Sequence, residues 1–567
     1  MATTIRIGLY TNGDDAFVAW KPSAFIEDCR GFMLERQRKT AGVAQPVENV
    51  ENRVGFKKDK PKSGDHRTSD IWPFQRFNWT DHVVDIGNNV RYRVTAMMFA
   101  GKNKPFEKGV SSAWTAWTTL ATDCGDGVSC FFNRGLVLSQ FVARYMRDKH
   151  LSAAKFKANL KASVDPAFRA FLAGDLGIRI LEMLADAAAG KIDLHAALYE
   201  LDDDVLETGL IAAGERLHLI LSNGSDKSGD GNAAARQRLN DAGIPTIDRL
   251  LRSKGLGHNK FVVFSKNDAP KAVWTGSTNW STTGLCTQVN NGLLIEDANV
   301  ATFYRQQWDR LEAASPPTTD PANFPPALVD ANDHPKTFTV GASKVTIQFT
   351  RTSDGSDMDA LRALINAAQH SILFLMFTPG KEGLHTLIGK RANEPELYVR
   401  GVVSTLGNEP GDSAKNVLDV RLVSSDQHFK PDHYTVVQPQ GGEALGPWIA
   451  EVTRNTFLSQ IGHAIVHSKV MVIDARSAKP IVVTGSHNFS KPASTNNDEN
   501  LVVVTGHKKL AAAYATYIMS VYQHYRYRSY IREMRAEGKS PWSYLEDDDE
   551  WFRHELETKA QELSFWT

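Results

Sequence analysis

The chain has 567 residues, 42% hydrophobic and 23% charged, and its 65 basic side chains balance 65 acidic ones to a net charge of zero. That length exceeds one core and calls for about two to four domains of ordinary soluble composition. Zero net charge excludes a strongly basic domain as the dominant character of the chain, though a local basic groove stays open. No run approaches the roughly 20 apolar residues of a membrane span, and the stretch from Met1 lacks the charged and apolar regions of a signal peptide. A cytoplasmic protein is expected, with export by a non-classical route left open. Cys29, Cys124, Cys130 and Cys286 show no zinc-type spacing. Cys124 and Cys130 could pair only in an oxidising compartment, and four cysteines in this length form no disulfide framework.

Residues 1–120 read as strands with period-two alternation, among them Ile5–Leu9, Asp15–Trp20, Val90–Met97 and Ala113–Thr118. Clusters of Gly, Asn, Pro and Asp separate them, as in an antiparallel sandwich, and the last two are loosely similar to a fibronectin type III module. Residues 133–190 carry helical periodicity, and strands and helices then alternate. Strands are expected at Ile192–Tyr199 and Leu217–Ser222, with helices at Asp203–Ala213 and Asn232–Ala242. Residues 315–336, rich in Pro, Asp and Thr, read as a linker. The pattern then restarts, with strands at Lys344–Phe349, Ser371–Phe377 and Leu397–Val403 and helices at Asp357–Gln369 and Lys381–Arg391. The expected architecture is α/β: an N-terminal β-sandwich (1–120), two halves (121–314 and 337–567) joined by the linker, and a helical C-terminal tail.

Each half contains the same pattern. The first copy reads His258-Asn-Lys260, an apolar run and Ser265, followed by Thr275-Gly-Ser277-Thr-Asn279-Trp-Ser281. The second reads His467-Ser-Lys469, an apolar run and Asp474, followed by Thr484-Gly-Ser486-His-Asn488-Phe-Ser490. His467 follows His258 by 209 residues (467 − 258), and the same interval relates Lys469 to Lys260, Asn488 to Asn279 and Glu499 to Asn290. A register kept without a gap is an internal duplication. On a strand, residues i and i+2 share a face, so His and Lys of each copy emerge side by side. The Gly-Ser-x-Asn turn supplies Ser277 or Ser486 and an asparagine as donors to an anion. Two such units facing each other surround a phosphate with fixed donors instead of a metal. One histidine then attacks phosphorus while the other protonates the leaving oxygen. Asn290 and Glu499 are the candidates to hold the second ring nitrogen of each histidine.

These residues resemble the phospholipase D superfamily, whose signature is H-x-K-x4-D followed by G-S-x-N. The likeness covers both halves, about residues 190–530, and the stretch Gly485–Asn500 looks most like the bacterial Nuc-type endonucleases. The resemblance implies a pseudo-twofold site completed within one chain, no metal or other cofactor, and a covalent phosphohistidine. Ser265 departs from the signature where the family has Asp, a residue understood to support structure near the site. The amide at Asn290 against the carboxylate at Glu499 is similar to the tyrosyl-DNA phosphodiesterases, and by that analogy His258 is the nucleophile and His467 the general acid/base.

Three readings follow: a nuclease acting on DNA or RNA, which the Nuc-like stretch favours; a phospholipase D acting on phospholipid, suggested by the two-motif chain and the extra sandwich; and an inactive binding module, hinted at by Ser265. His463 reads as a loop residue, and His487 either touches substrate or faces solvent. The tyrosines from Tyr514 to Tyr530, interspersed with Arg526, Arg528, Arg532 and Arg535, form an amphipathic docking helix rather than a nucleic-acid stacking surface.

Overall fold

A computed structural model describes residues 3–62, 64–135, 140–224, 229–251, 255–315, 325–379, 384–392, 394–404, 436–437, 465–536 and 544–567. The N-terminal strands form a three-stranded sheet (Ile5–Thr11, Ala16–Pro22, Asn78–Asp81) and a second sheet built on Cys29–Thr40 and Asn89–Met98. Trp20, Phe32, Phe74 and Tyr92 fill the core of this region. The last antiparallel partner of Asn89–Met98 is Glu107–Ser111 together with Thr118–Thr119, so the expected strand at Ala113–Thr118 is displaced around two tryptophans. Arg91 lies over both, 4.7 Å from the Trp114 ring and 4.6 Å from the Trp117 ring. Trp551, Phe552 and Leu563 of the C-terminal helices Glu550–Thr558 and Ala560–Trp566 complete the same core.

Two mixed eight-stranded sheets follow, with strands in the same order. The first runs Asp123–Gly125, Val128–Phe132, Asn291–Ile295, Ala269–Gly276, Lys260–Lys266, Asp193–Leu198, Leu217–Ser222, Thr246–Arg249. The second runs Lys336–Val340, Ser343–Thr350, Glu499–Thr505, Ile481–Gly485, Val470–Ile473, Ser371–Met376, Tyr398–Val403, Val436–Val437. In each sheet the motif strand is central, which explains its unbroken apolar run: both faces are covered. Phe261 and Val263 enter a core shared with Val470, Val472, Val502 and Phe349 of the other half. Val262 and Phe264 point the opposite way, onto the helices Pro166–Ala188 and Asp204–Ala213. Met471 and Ile473 do the same onto helix Ser356–Ala367. This period-two division is the pleat of a strand buried on both faces.

The long helix Lys508–Ala536 docks with Tyr514, Tyr517, Tyr522 and Tyr525 in the shared core, as expected, but residues 513–522 are buried on every face, so the helix is not amphipathic there. Where the linker was expected, the described residues include a short helix, Pro326–Asn332, whose Asn332 Nδ2 donates to the Arg351 carbonyl at 3.1 Å. Among the described residues no helix is long and apolar enough to cross a membrane. Cys124 and Cys130 are free thiols whose sulfurs lie 3.6 Å apart.

Candidate active site

The two motif strands bring His258, Lys260, His467 and Lys469 together in one buried cluster between the halves. The glycine opening each turn is required by crowding. Gly276 and Gly485 have φ of 149° and 132°, and a Cβ at either would come within 2.3 Å of the carbonyl of Asn291 or Asn500. The serine closing each turn caps the short helix that follows, Ser281 Oγ accepting from Gly284 N and Ser490 Oγ from Ala493 N.

The contacts that join the halves are crossed. His258 Nδ1 lies 2.8 Å from Glu499 Oε2, and His467 Nδ1 lies 2.9 Å from Asn290 Oδ1. Each histidine is thus held by a residue of the opposite half. The backbone repeats the pattern: His258 N donates to the Asp498 carbonyl and His467 N to the Val289 carbonyl, each at 2.9 Å. So do the buried side chains beneath, Thr275 Oγ1 donating to Asn500 Oδ1 and Asn291 Nδ2 donating to Thr484 Oγ1. Asp498 and Val289, Asn500 and Asn291, and Thr484 and Thr275 are all related by the same 209 residues (498 − 289, 500 − 291, 484 − 275).

The two histidines have different surroundings. Glu499 is fixed on both oxygens, since Oε1 accepts from Asn497 Nδ2 at 3.0 Å. Its burial favours the neutral acid, but His258 and Lys260 outweigh that and hold its pKa below the usual value. A carboxylate on Nδ1 fixes the tautomer of His258 and leaves Nε2 for chemistry. On the other side Asn290 Oδ1 also accepts from Ser277 Oγ at 2.8 Å, and Lys469 Nζ donates to His467 Nε2 at 2.9 Å. Burial drives the pKa of His258 down to about 4 against the pull of Glu499. Burial, then Lys469 and Lys260, push His467 well below its ordinary value. Burial likewise lowers Lys260 to about 7 and holds Lys469 well below its ordinary value. The carboxylates of Glu499 and Glu200 offset this lowering only in part, and a bound anion would raise these pKa values further.

The ammonium groups donate to the carbonyls of their own histidines, Lys260 at 2.7 Å and Lys469 at 2.6 Å. Each also lies over an aromatic ring, Lys260 4.8 Å from Tyr199 and Lys469 5.0 Å from Phe377. The same rings pack on His258 and His467 at 4.6 and 4.8 Å. Asn279 Nδ2 donates to Glu200 Oε2, and Asn488 Oδ1 is buried with no partner among the described residues. Ser277 and Ser486 are fully buried, and their hydroxyls accept from Asn291 N and Asn500 N. A phosphate contact from either would have to share those bonds.

Sequence reasoning missed several contributors. Tyr199 and Phe377 end ordinary-looking strands, and only sheet register brings them beside the lysines. Arg249 and Asp498 form a buried ion pair bridging the halves immediately before Glu499. Asp474 accepts from Gln369 N, His370 N and Ser371 N at 2.6–3.1 Å, so it braces the loop before Ser371–Met376 and not the histidine. His487 does not face solvent: it is fully buried, with Nε2 2.9 Å from Asp357 Oδ2, and near enough to Glu499 to help hold its pKa down. His463 lies outside the described residues. Among the described residues no group of three or more His, Cys, Asp or Glu converges as metal ligands would.

Residues 361–522 match the family described as cardiolipin synthase, PLD-like domain. A phospholipase D of Rickettsia prowazekii is 29% identical over 119 residues, 20% of this chain and 53% of that protein. A phospholipase D of Rickettsia bellii is 29% identical over 127 residues, covering 22% and 57%. The chain thus spans little more than half the length of these curated relatives. Among solved structures, phosphatidylserine synthase of Haemophilus influenzae aligns over 73% of this chain and 94% of its own, with TM-score 0.41 and 13% identity. Nuc of Salmonella typhimurium aligns over 33% and 94%, with TM-score 0.20 and 20% identity. With the duplicated motif at the centre of two matching sheets, the chain belongs to the phospholipase D superfamily.

Proposed function

We propose that the protein is a phosphodiesterase that works without a metal, through a covalent phosphohistidine on His258. The observation carrying this reading is the crossed pairing, a carboxylate behind one histidine and an amide behind the other. Residues 121–314 and 337–567 then act as two pseudo-twofold halves of one site, with 1–120 as an accessory sandwich. A phosphodiester binds between Lys260 and Lys469, with Asn279 and Asn488 as further donors. Its negative charge draws Lys469 away from His467 Nε2 and raises the pKa of that ring, so His467 takes up a proton there. His258 Nε2 attacks phosphorus, the N–P bond forms as the bond to the leaving oxygen breaks, and His467 delivers its proton to that oxygen. Glu499 stabilises the positive charge growing on His258. Water then gives a proton to His467, bonds to phosphorus and breaks the N–P bond, releasing a phosphomonoester and the free imidazole.

Nucleic acid is the substrate we favour, on the Nuc-like stretch Gly485–Asn500. The relatives named phospholipase D support phospholipid as the second reading. One experiment separates them: purified protein in EDTA with plasmid DNA, RNA and phosphatidylcholine vesicles in parallel. Nicked or shortened nucleic acid supports the first reading, and choline release with nucleic acids left whole supports the second. His258→Ala and His467→Ala each abolish turnover, and survival of activity in both removes the mechanism.

A further inference from the structure

The proposed phosphate cradle contains a second carboxylate that the steps above leave unused. Glu200, half-buried and next to Tyr199, accepts from Asn279 Nδ2 at 2.5 Å. This is its only side-chain hydrogen bond among the described residues, while its carbonyl accepts from Trp280 N at 3.1 Å. The charge lies near enough to Lys260 and Lys469 to oppose the lowering of both by burial. It belongs to one half only. Leu198 pairs with Lys260, and Leu375 pairs with Val470, the residue after Lys469. Met376 therefore matches Leu198, Phe377 matches Tyr199, and Thr378 stands where Glu200 would be.

A carboxylate beside an anion site opposes the anion, so its role has to lie in its one bond. A primary amide has two N–H groups on one end and an acceptor on the other. With Glu200 accepting one N–H, the second is left for a phosphate oxygen. A flipped Asn279 would set Oδ1 against a carboxylate oxygen, two acceptors with no proton between them. Asn279 Oδ1 is itself buried without a partner among the described residues, so nothing else there fixes the orientation.

We propose that Glu200 is the positioning residue that locks the Asn279 amide with an N–H directed at the scissile phosphate, on the first-half side of the site only. The proposal rests on the phosphodiesterase reading for its purpose, and its test does not need turnover. Inorganic phosphate binding to the full chain is measured calorimetrically for the wild type, Asn279→Ala, Glu200→Ala, Glu200→Gln and the two doubles. Asn279→Ala weakens phosphate about three- to tenfold in the wild-type background and not at all once Glu200 is Ala. Glu200→Gln, whose amide accepts in one orientation and donates in the other, no longer forbids the flip and gives a sensitivity to Asn279→Ala between those of the wild type and Glu200→Ala. An equal cost of Asn279→Ala in all backgrounds, including no cost in any, overturns the proposal. The same cycle is read in kcat/KM on bis(p-nitrophenyl) phosphate. If phosphate binding shows the coupling but the wild type cleaves no diester, the phosphodiesterase reading falls and the positioning role stands.

Discussion

Replacing Glu499 by Gln tests the division of labour between the histidines, because it keeps the shape of the side chain and removes only its charge. In the folded protein the carboxylate is fully buried, 2.8 Å from His258 Nδ1 and anchored on its other oxygen by Asn497. In the proposed mechanism, bond formation from Nε2 to phosphorus places positive charge on the His258 ring, and the carboxylate meets it. A hydrogen bond to a charged group is worth about 1.5–3 kcal/mol, against about 0.5–1.5 for a neutral one. Gln keeps a neutral acceptor, so the loss is the difference, about 1–1.5 kcal/mol, and at 1.36 kcal/mol per tenfold Glu499→Gln lowers the rate of the first step about 5- to 13-fold. Asn290→Ala removes a neutral acceptor from His467 and costs about 2- to 10-fold by the same reasoning. The assay is rapid quench with bis(p-nitrophenyl) phosphate, following nitrophenolate release and the mass of the phosphoenzyme. Phosphoenzyme formation slowed more by Asn290→Ala than by Glu499→Gln would refute the reasoning and make His467 the nucleophile.

The pH profile of kcat/KM should be a bell. It falls toward acid as His258, with pKa about 4, takes up the proton that blocks Nε2, and falls toward base as Lys260, at about 7, loses the charge that holds phosphate. A profile flat from pH 3 to 9 contradicts both assignments. Asp498→Ala removes the carboxylate that accepts from two nitrogens of the buried Arg249, which keeps its bonds to the Ala314 carbonyl and the Ser315 hydroxyl, and destabilises the fold by about 3 kcal/mol in urea unfolding. The double variant Arg249→Met/Asp498→Leu recovers most of that loss, and a double as unstable as the single argues against the ion-pair explanation. Asp474→Ala leaves three backbone amides without their acceptor and costs about 1–2 kcal/mol with kcat unchanged, since none of its bonds reaches the histidines. A loss of kcat with stability intact would place Asp474 in the chemistry.

The duplicated motif was legible because its demands are local. The His-x-Lys pair is a fixed local spacing, although His258, His467 and Lys469 lie just before the strands Lys260–Lys266 and Val470–Ile473 and not on them, and the Gly-Ser-x-Asn turn needs only a glycine at positive φ followed by a cap. Helix ends were legible for the same reason: Asp203, for example, caps Asp204–Ala213 by accepting from Leu206 N. Contacts set by sheet register were not. Glu200 stands 79 positions before Asn279 (279 − 200), and no periodicity links them. Trp551 and Phe552 show no sign in the sequence of belonging to the core around Trp20 and Phe32. Ser265 shows how a local departure misleads. It faces Asp193 across the strands, while in the second half Asp474 is paired by register with Ser371. The hydroxyl and carboxylate have changed places, so the first half kept its acid on the neighbouring strand. Asp193 there binds Arg216 rather than a loop backbone. An added carboxylate from Ser265→Asp would face Asp193 and should destabilise the fold by about 1 kcal/mol or more.

The crossing of the contacts explains how a duplicated site could become unequal without coming apart. If each histidine were held by its own half, a change at residue 290 would alter the basicity of His258 on the same side. Because the partners are exchanged, the amide at 290 acts on His467 and the carboxylate at 499 acts on His258. The backbone bonds His258 N to Asp498 and His467 N to Val289 stay alike, so the geometry is symmetric where the electrostatics are not. Basicity is thereby set independently of position. In the proposed mechanism one imidazole can then become the better nucleophile and the other the better proton donor without a change in the backbone bonds that hold them. Neither half carries a complete histidine with its partner, so a lone half presents an unheld imidazole and a buried carboxylate or amide with nothing to receive.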